Sequence, residues 1–299
     1  MGEVTEPQYD LPYGIPAPGY RLPPATRPGR VRLEVADLER SIDWYRGVLG
    51  FMVSDLSADG ASLSPAGSVA KGAAPLIELQ ERRGAAPAPA GGAPGLYHYA
   101  ILLPDRPSLG RLLPHLAQRG VRPGASDHLV SEALYLNDPD GLGIEVYADR
   151  PRSAWRHRDR QLMMATEPLD TAALIDASGA EAWEGMPDGT TIGHVHLHVG
   201  DLAAASAFYH GGLGLDLMVW SYPGALFLSA GGYHHHLGLN TWARRTTPAA
   251  DGDARLLEWE LVMPTAADAR AALASLASAG FSVENGRARD PWGIAVHVR

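Results

Sequence analysis

The chain contains no cysteine among its 299 residues. Disulfides and thiolate ligands are thereby excluded, so any metal site must use imidazoles and carboxylates. Basic charge is also short: 25 Lys and Arg face 34 Asp and Glu, a net charge of -9. Nucleic-acid binding needs a basic face to neutralise phosphates, and this balance argues against it. No apolar run approaches the ~20 residues of a membrane-spanning helix. The N-terminus lacks a basic segment followed by an apolar one. The expectation is a cytoplasmic protein with no membrane or nucleic-acid partner, and a homo-oligomer is left open. The chain is 45% hydrophobic and 20% charged, ordinary for a globular protein and long enough for two domains of about 150 residues. What it does hold is histidine, 12 in all.

Residues 1–28 are rich in Pro, Gly and Tyr and read as an irregular N-terminal arm. Two stretches then repeat one pattern. In the first, Val31, Leu33 and Val35 alternate as a strand, Asp37 caps a helix carrying Leu38, Ile42 and Tyr45, and Gly50 closes it. In the second, Val195, Leu197 and Val199 alternate, Asp201 caps, Leu202 and Tyr209 follow, and Gly214 matches Gly50. The second half of each repeat matches too: a strand ending in Pro, a helix (108–117 and 266–279), and a strand preceded by Asp138-Pro139-Asp140-Gly141 or Asp290-Pro291-Trp292-Gly293. The chain is therefore four βαβββ modules starting near Arg30, Tyr97, His194 and Glu258. They group as an N-terminal domain over 29–150, a linker over 151–190 with a short helix near 169–177, and a C-terminal domain over 191–299.

Alternation assigns faces. Val195, Leu197 and Val199 share one face of their strand, so His194, His196 and His198 share the other. His98 is opposite Tyr99, Ile101 and Leu103, and Glu145 and Tyr147 are opposite Ile144 and Val146. In 233–240, Leu237 and Leu239 place His235 with the apolar set and His234, His236 and Asn240 on the polar face.

The stretch from Ser126 to Tyr147 carries a signature as well as a hairpin. His128, Leu134, Tyr135, Asp138, Pro139, Gly141 and Glu145 stand at the spacings of the type I extradiol ring-cleaving dioxygenases, with Ser126 where that family usually has Gly, Asn, Thr, Ile or Val. The fourfold array over residues 30–299 resembles the vicinal oxygen chelate superfamily, which includes glyoxalase I and the extradiol dioxygenases. The resemblance implies an α+β fold, four βαβββ modules paired into two curved mixed sheets (the glyoxalase/bleomycin resistance/dihydroxybiphenyl dioxygenase fold), with ligands on the first and last strands of each module.

At the first-strand position stand Arg30, His98, His194 and Glu258. At the last-strand position stand Leu76 or Glu78, Glu145, approximately His236, and His297. The resemblance then implies one working site where modules two and three pair, with His98, Glu145 and His194 as metal ligands, and a degenerate site between modules one and four. A 2-His-1-carboxylate set suits Fe(II), with Mn(II) also accepted, and needs no organic cofactor. His236, His128 and Tyr135 are the expected acid–base residues. His196, His198, His234, Asn240 and Tyr147 are expected to line the pocket. The expected activity is extradiol cleavage of a catechol, a small aromatic diol, with O2. The alternatives are a glyoxalase-like lyase or isomerase using Zn²⁺ or Ni²⁺, and a metal-free binding protein of the drug-sequestering kind.

Overall fold

A computed structural model describes residues 12–299 except Ala180. The expected arm thus lies outside the described residues over 1–11. From residue 12 it runs irregularly against module three. Ile15 N–H donates to Leu217 O at 2.8 Å, and the Arg21 guanidinium grips Asp216 at 2.6 Å.

Asp37 caps the helix Leu38–Trp44 by accepting from Arg40 N–H at 2.9 Å, and Asp201 caps Leu202–Ser206 by accepting from Ala204 N–H at 2.7 Å. Each helix widens into a π turn, Tyr45–Leu49 and Ala207–Gly212. The longer helices are Arg106–Gln118 and Ala266–Ser278, and the linker helix is Thr171–Ala177. Among the described residues no helix is long and apolar enough to cross a membrane.

Within a module the first strand pairs in parallel with the last: Arg27–Val35 with Ile77–Glu81, Gly95–Leu102 with Gly143–Asp149, Thr191–His198 with Leu237–Asn240, and Arg255–Val262 with Ala295–Val298. Between modules the first strands meet antiparallel, module one with four and module two with three. Two mixed sheets of eight and nine strands result. Their helix-covered faces carry Val31, Leu33, Tyr99, Ile101, Val195, Leu197 and Trp259, all fully buried, as the alternation demands.

A second set of contacts ties modules the sheets leave apart. Tyr45, on module one's helix, shares a 2.8 Å hydroxyl contact with Tyr99 and reaches Asp138 of module two at 3.4 Å. Tyr209, on module three's helix, donates to Asp290 of module four at 3.0 Å. Both carboxylates open the Asp-Pro turns and accept two backbone N–H groups from them at 2.8–2.9 Å. The first turn needs φ of +83° at Gly141, a conformation costly for any side-chain-bearing residue.

Burial pushes Asp138 up to about 7 and Asp290 to about 6. A carboxyl whose pKa is raised on folding favours the folded state only while protonated, so its contribution is lost as pH rises through the folded value. The stability of Asp138→Asn relative to the parent should therefore improve from pH 4 to pH 8, by on the order of a few kcal/mol. Denaturant midpoints across that range measure it, and a pH-independent difference would show that Asp138 titrates as an ordinary aspartate.

Candidate metal centre

The parallel ladder pairs Ala100 with Glu145, and the antiparallel ladder on the other side sets His196 opposite His98 and His194 opposite Ala100. Glu145 is thus flanked by both imidazoles on the face away from the helices. Its Oε2 is 3.0 Å from His98 Nε2 and 3.3 Å from His194 Nε2. Candidate ligand atoms of the three residues all lie within 4.8 Å of one another. Two ligands held ~2.1 Å from one ion at right angles are themselves about 3.0 Å apart, so the spacing fits adjacent corners of one coordination sphere. His98 Nε2 and His194 Nδ1 are buried without a hydrogen-bond partner, a costly state that a bound ion would relieve at the first of them.

Burial works to raise the Glu145 pKa, but His194 and His98 outweigh it and hold the carboxyl well below its usual range. Burial drives His194 down to about 4, against the pull of Glu145. Each tendency leans on charge in the other group. We take the carboxylate as ionised and His194 as neutral near pH 7, because burial dominates for the imidazole. Those are the protonation states a metal requires, and a lone buried negative charge is otherwise expensive.

The cluster lies beside a cavity of about 210 Å³ whose walls include His98, Glu145, Tyr135, His196, His235, Phe227 and Trp242. Tyr135 and His128 form a pair at its edge. His128 Nδ1–H donates to Ala165 O at 2.6 Å, which leaves Nε2 to accept from the Tyr135 hydroxyl at 2.6 Å. Burial and the charge of Glu145 keep that hydroxyl protonated. His196 Nε2 accepts from Asn240 Nδ2 at 2.9 Å, and Asn240 Oδ1 accepts from His198 Nδ1 at 2.6 Å. Tyr147 stands behind the cavity, its ring 5.0 Å from that of His194 and its hydroxyl 2.7 Å from that of Tyr233.

Several expectations need correction, and the cavity walls also leave out His198, Asn240 and Tyr147. His236 does not reach the cavity. Its Nδ1 accepts from Ala230 N–H at 3.2 Å and its ring stacks on Tyr233. His235 faces the cavity instead, with its ring 4.0 Å from that of His194. His234 is also withdrawn, between Asp149 and His235. Alternation failed because residues 231–236 are a turn and the strand begins at Leu237. The ladder also moves module three's last-strand position. Ala100 pairs with Glu145 two residues after His98, and His196 pairs with Gly238 two residues after His194. The counterpart of Glu145 is therefore Gly238, not His236. A Cβ there would meet the His196 ring at 2.7 Å. The cavity walls Tyr97, Tyr222, Phe227 and Trp242 escaped the sequence reading, since they carry no spacing signal.

In the other sheet Arg32 pairs with Glu78, so Arg30 and Glu78 correspond to His98 and Glu145. There Arg30 binds Glu78 at 2.6 Å and Glu260 at 2.9 Å. Glu258, Glu260 and His297 come close enough together to hold an ion, but Arg287 pairs with Glu258 and Arg299 with Glu260 at 3.0 Å. Guanidinium groups already neutralise these carboxylates.

The sequence matches the Glyoxalase/Bleomycin resistance protein/Dioxygenase superfamily over residues 27–146 and 191–298. It is 44% identical over 274 residues to a protein of Bacillus subtilis (strain 168) named catechol-2,3-dioxygenase, covering 89% of this chain and 94% of that one. A crystal structure from Bacillus subtilis superposes with a TM-score of 0.63 at 14% identity, covering 93% of this chain and 86% of the other. Glyoxalase I from Zea mays superposes with a TM-score of 0.54 at 19% identity, covering 92% of each chain. At these identities the two structures speak for the fold.

Anaerobic titration with Fe(II) or Mn(II) should find one tight site per chain, lost in His194→Ala and retained in His297→Ala. Two sites of equal affinity would show that the arginine-filled cluster also takes an ion.

Proposed function

We propose that this chain, which belongs to the glyoxalase/bleomycin resistance protein/dioxygenase superfamily, is an extradiol dioxygenase that opens a catechol ring with O2. The metal we assign is a single Fe(II), with Mn(II) the alternative, held by His98, Glu145 and His194. The observation that carries the reading is the shared approach of both imidazoles to one oxygen of Glu145, at 3.0 and 3.3 Å, beside a cavity walled by aromatic rings. The near full-length likeness to a catechol-2,3-dioxygenase supports the choice of reaction. When bound, such an ion couples electron donation from the diol to O2, so no organic cofactor is needed.

The residues of the chain supply binding and proton handling. Gly238 stands where the repeat would place a fourth ligand, so the last strand of module three supplies no carboxylate to the triad. That favours a site open to a two-oxygen substrate over the four-ligand arrangement of a lyase. Asp149 Oδ1 can only accept, so His234 Nε2–H donates to it at 2.9 Å. His234 Nδ1 then accepts from His235 Nδ1–H at 2.7 Å, which leaves His235 Nε2 with a free lone pair. Burial holds His235 well below the ordinary histidine range, so it stands neutral. We assign it, rather than His236, the role of taking the proton from a substrate hydroxyl. Tyr135, backed by His128, is placed to hold a proton near Glu145 and to hydrogen-bond an oxygen of the bound substrate.

Anaerobic iron loading, followed by catechol and air, should give the yellow ring-fission product. Glu145→Gln should lose both the bound metal and the product. A variant that keeps both would remove Glu145 from the ligand set. His128→Ala should retain metal while kcat falls about 10–100-fold. His235→Gln should cost about 10²–10⁴-fold in kcat, and His236→Gln far less. The reverse order for these two would restore His236 as the acid–base residue.

A further inference from the structure

We infer that the cavity is built for diols whose ring carries no anionic substituent, and that it discriminates against carboxylated catechols. This rests on the ring-cleavage reading and narrows its substrate class.

The inference comes from the charges on the walls. Among the described residues no Arg or Lys lines the cavity, and Glu145 is its one carboxylate. Tyr97, Phe227, Tyr222 and Trp242 form an aromatic shell, with Met164 at its edge. His196 and His235 face inward, but His196 Nε2 accepts from Asn240 Nδ2 at 2.9 Å and His235 Nδ1 is engaged by His234 at 2.7 Å. At the mouth, Thr166 Oγ1 and Tyr222 Oη share a 3.2 Å contact.

Two guanidinium groups of the surrounding segments, Arg150 and Arg152, are committed elsewhere. Arg150 binds Asp127 at 2.6 Å and Glu132 at 3.1 Å. Arg152 donates to Gly231 O at 3.1 Å and lies over the rings of Trp155 and Tyr233. A ring carboxylate would therefore lose its hydration among apolar walls with no cationic side chain to receive it, close to the negative charge of Glu145. Methyl groups or hydrogens on the ring meet no such penalty and gain apolar contact.

The test compares catechol and 4-methylcatechol with 3,4-dihydroxybenzoate on the iron-loaded protein. Binding is read anaerobically from quenching of tryptophan emission, because Trp242 faces the cavity. Ring opening is then read after air is admitted. The uncharged diols should bind about tenfold or more tightly than the carboxylated one, and kcat/KM should differ in the same direction. Thr166→Arg places a cation at the exposed mouth without disturbing the core and should narrow the gap by raising affinity for 3,4-dihydroxybenzoate. Equal or tighter binding of 3,4-dihydroxybenzoate by the parent protein overturns the inference, as does failure to bind any of the three. Preferential binding of the uncharged diols without ring opening would sink the dioxygenase reading while leaving the charge selection of the cavity in place.

Discussion

One buried carboxylate sets the terms for the rest of the molecule. Glu145 is 3% exposed, and its nearest polar neighbours are the imidazoles of His98 and His194, at 3.0 and 3.3 Å. Such a group is tolerated only if something cationic completes it. The second sheet meets the same demand differently. At the corresponding ladder position Glu78 is paired with Arg30, and neighbouring Glu260 takes both Arg30 and Arg299. One scaffold thus holds a permanent guanidinium at one concave face and a pair of lone-pair donors at the other. An arginine cannot lose its proton or leave an open coordination position. Two histidines in the same slots create a place that is electrostatically incomplete, and that incompleteness is the strongest physical support for a divalent ion there.

Much of the scaffold could be read from the chain because repetition checks itself. The strand patterns at Val31–Val35 and Val195–Val199, the capping Asp37 and Asp201, and the turns opened by Asp138 and Asp290 each appear twice, and the fold uses both copies alike. His98, Glu145 and His194 were legible for a related reason. Each sits inside a regular strand, where alternation fixes the face and the module repeat fixes the position. His235 was misplaced because it lies in a turn, where the two-residue period has no force. The aromatic walls were illegible on other grounds. Tyr97 and Phe227 are strand residues of ordinary type, while Tyr222 and Trp242 lie in loops, and only the folded chain shows that they face one space.

The ties between modules hold the two sheets against each other. Sheet pairing joins module two to three and one to four, so it leaves the two sheets free to slide past each other. The buried contacts of Tyr45 with Tyr99 and Asp138, and of Tyr209 with Asp290, cross that division. Asp138 lies only seven residues before Glu145 in the same hairpin. A contact that anchors the turn therefore also anchors the strand that carries the carboxylate, and a residue chosen for its turn chemistry is tied to a site whose chemistry it does not share.

The asymmetry between modules two and three decides what the site can do. Symmetric use of the repeat would give four protein ligands, one from each first strand and one from each last strand. The ladder instead delivers Gly238 where a second carboxylate would be, and the His196 ring packs against it. Removing one donor opens a side of the coordination sphere. The vacated region is bordered by His196, locked by Asn240, and by His235, whose tautomer is set through His234 and Asp149. In the proposed site, a ligand position is exchanged for oriented imidazoles outside the triad. Under the proposed reading, that exchange puts metal binding and proton transfer on different residues, as a reaction that must anchor a diol while moving its proton requires.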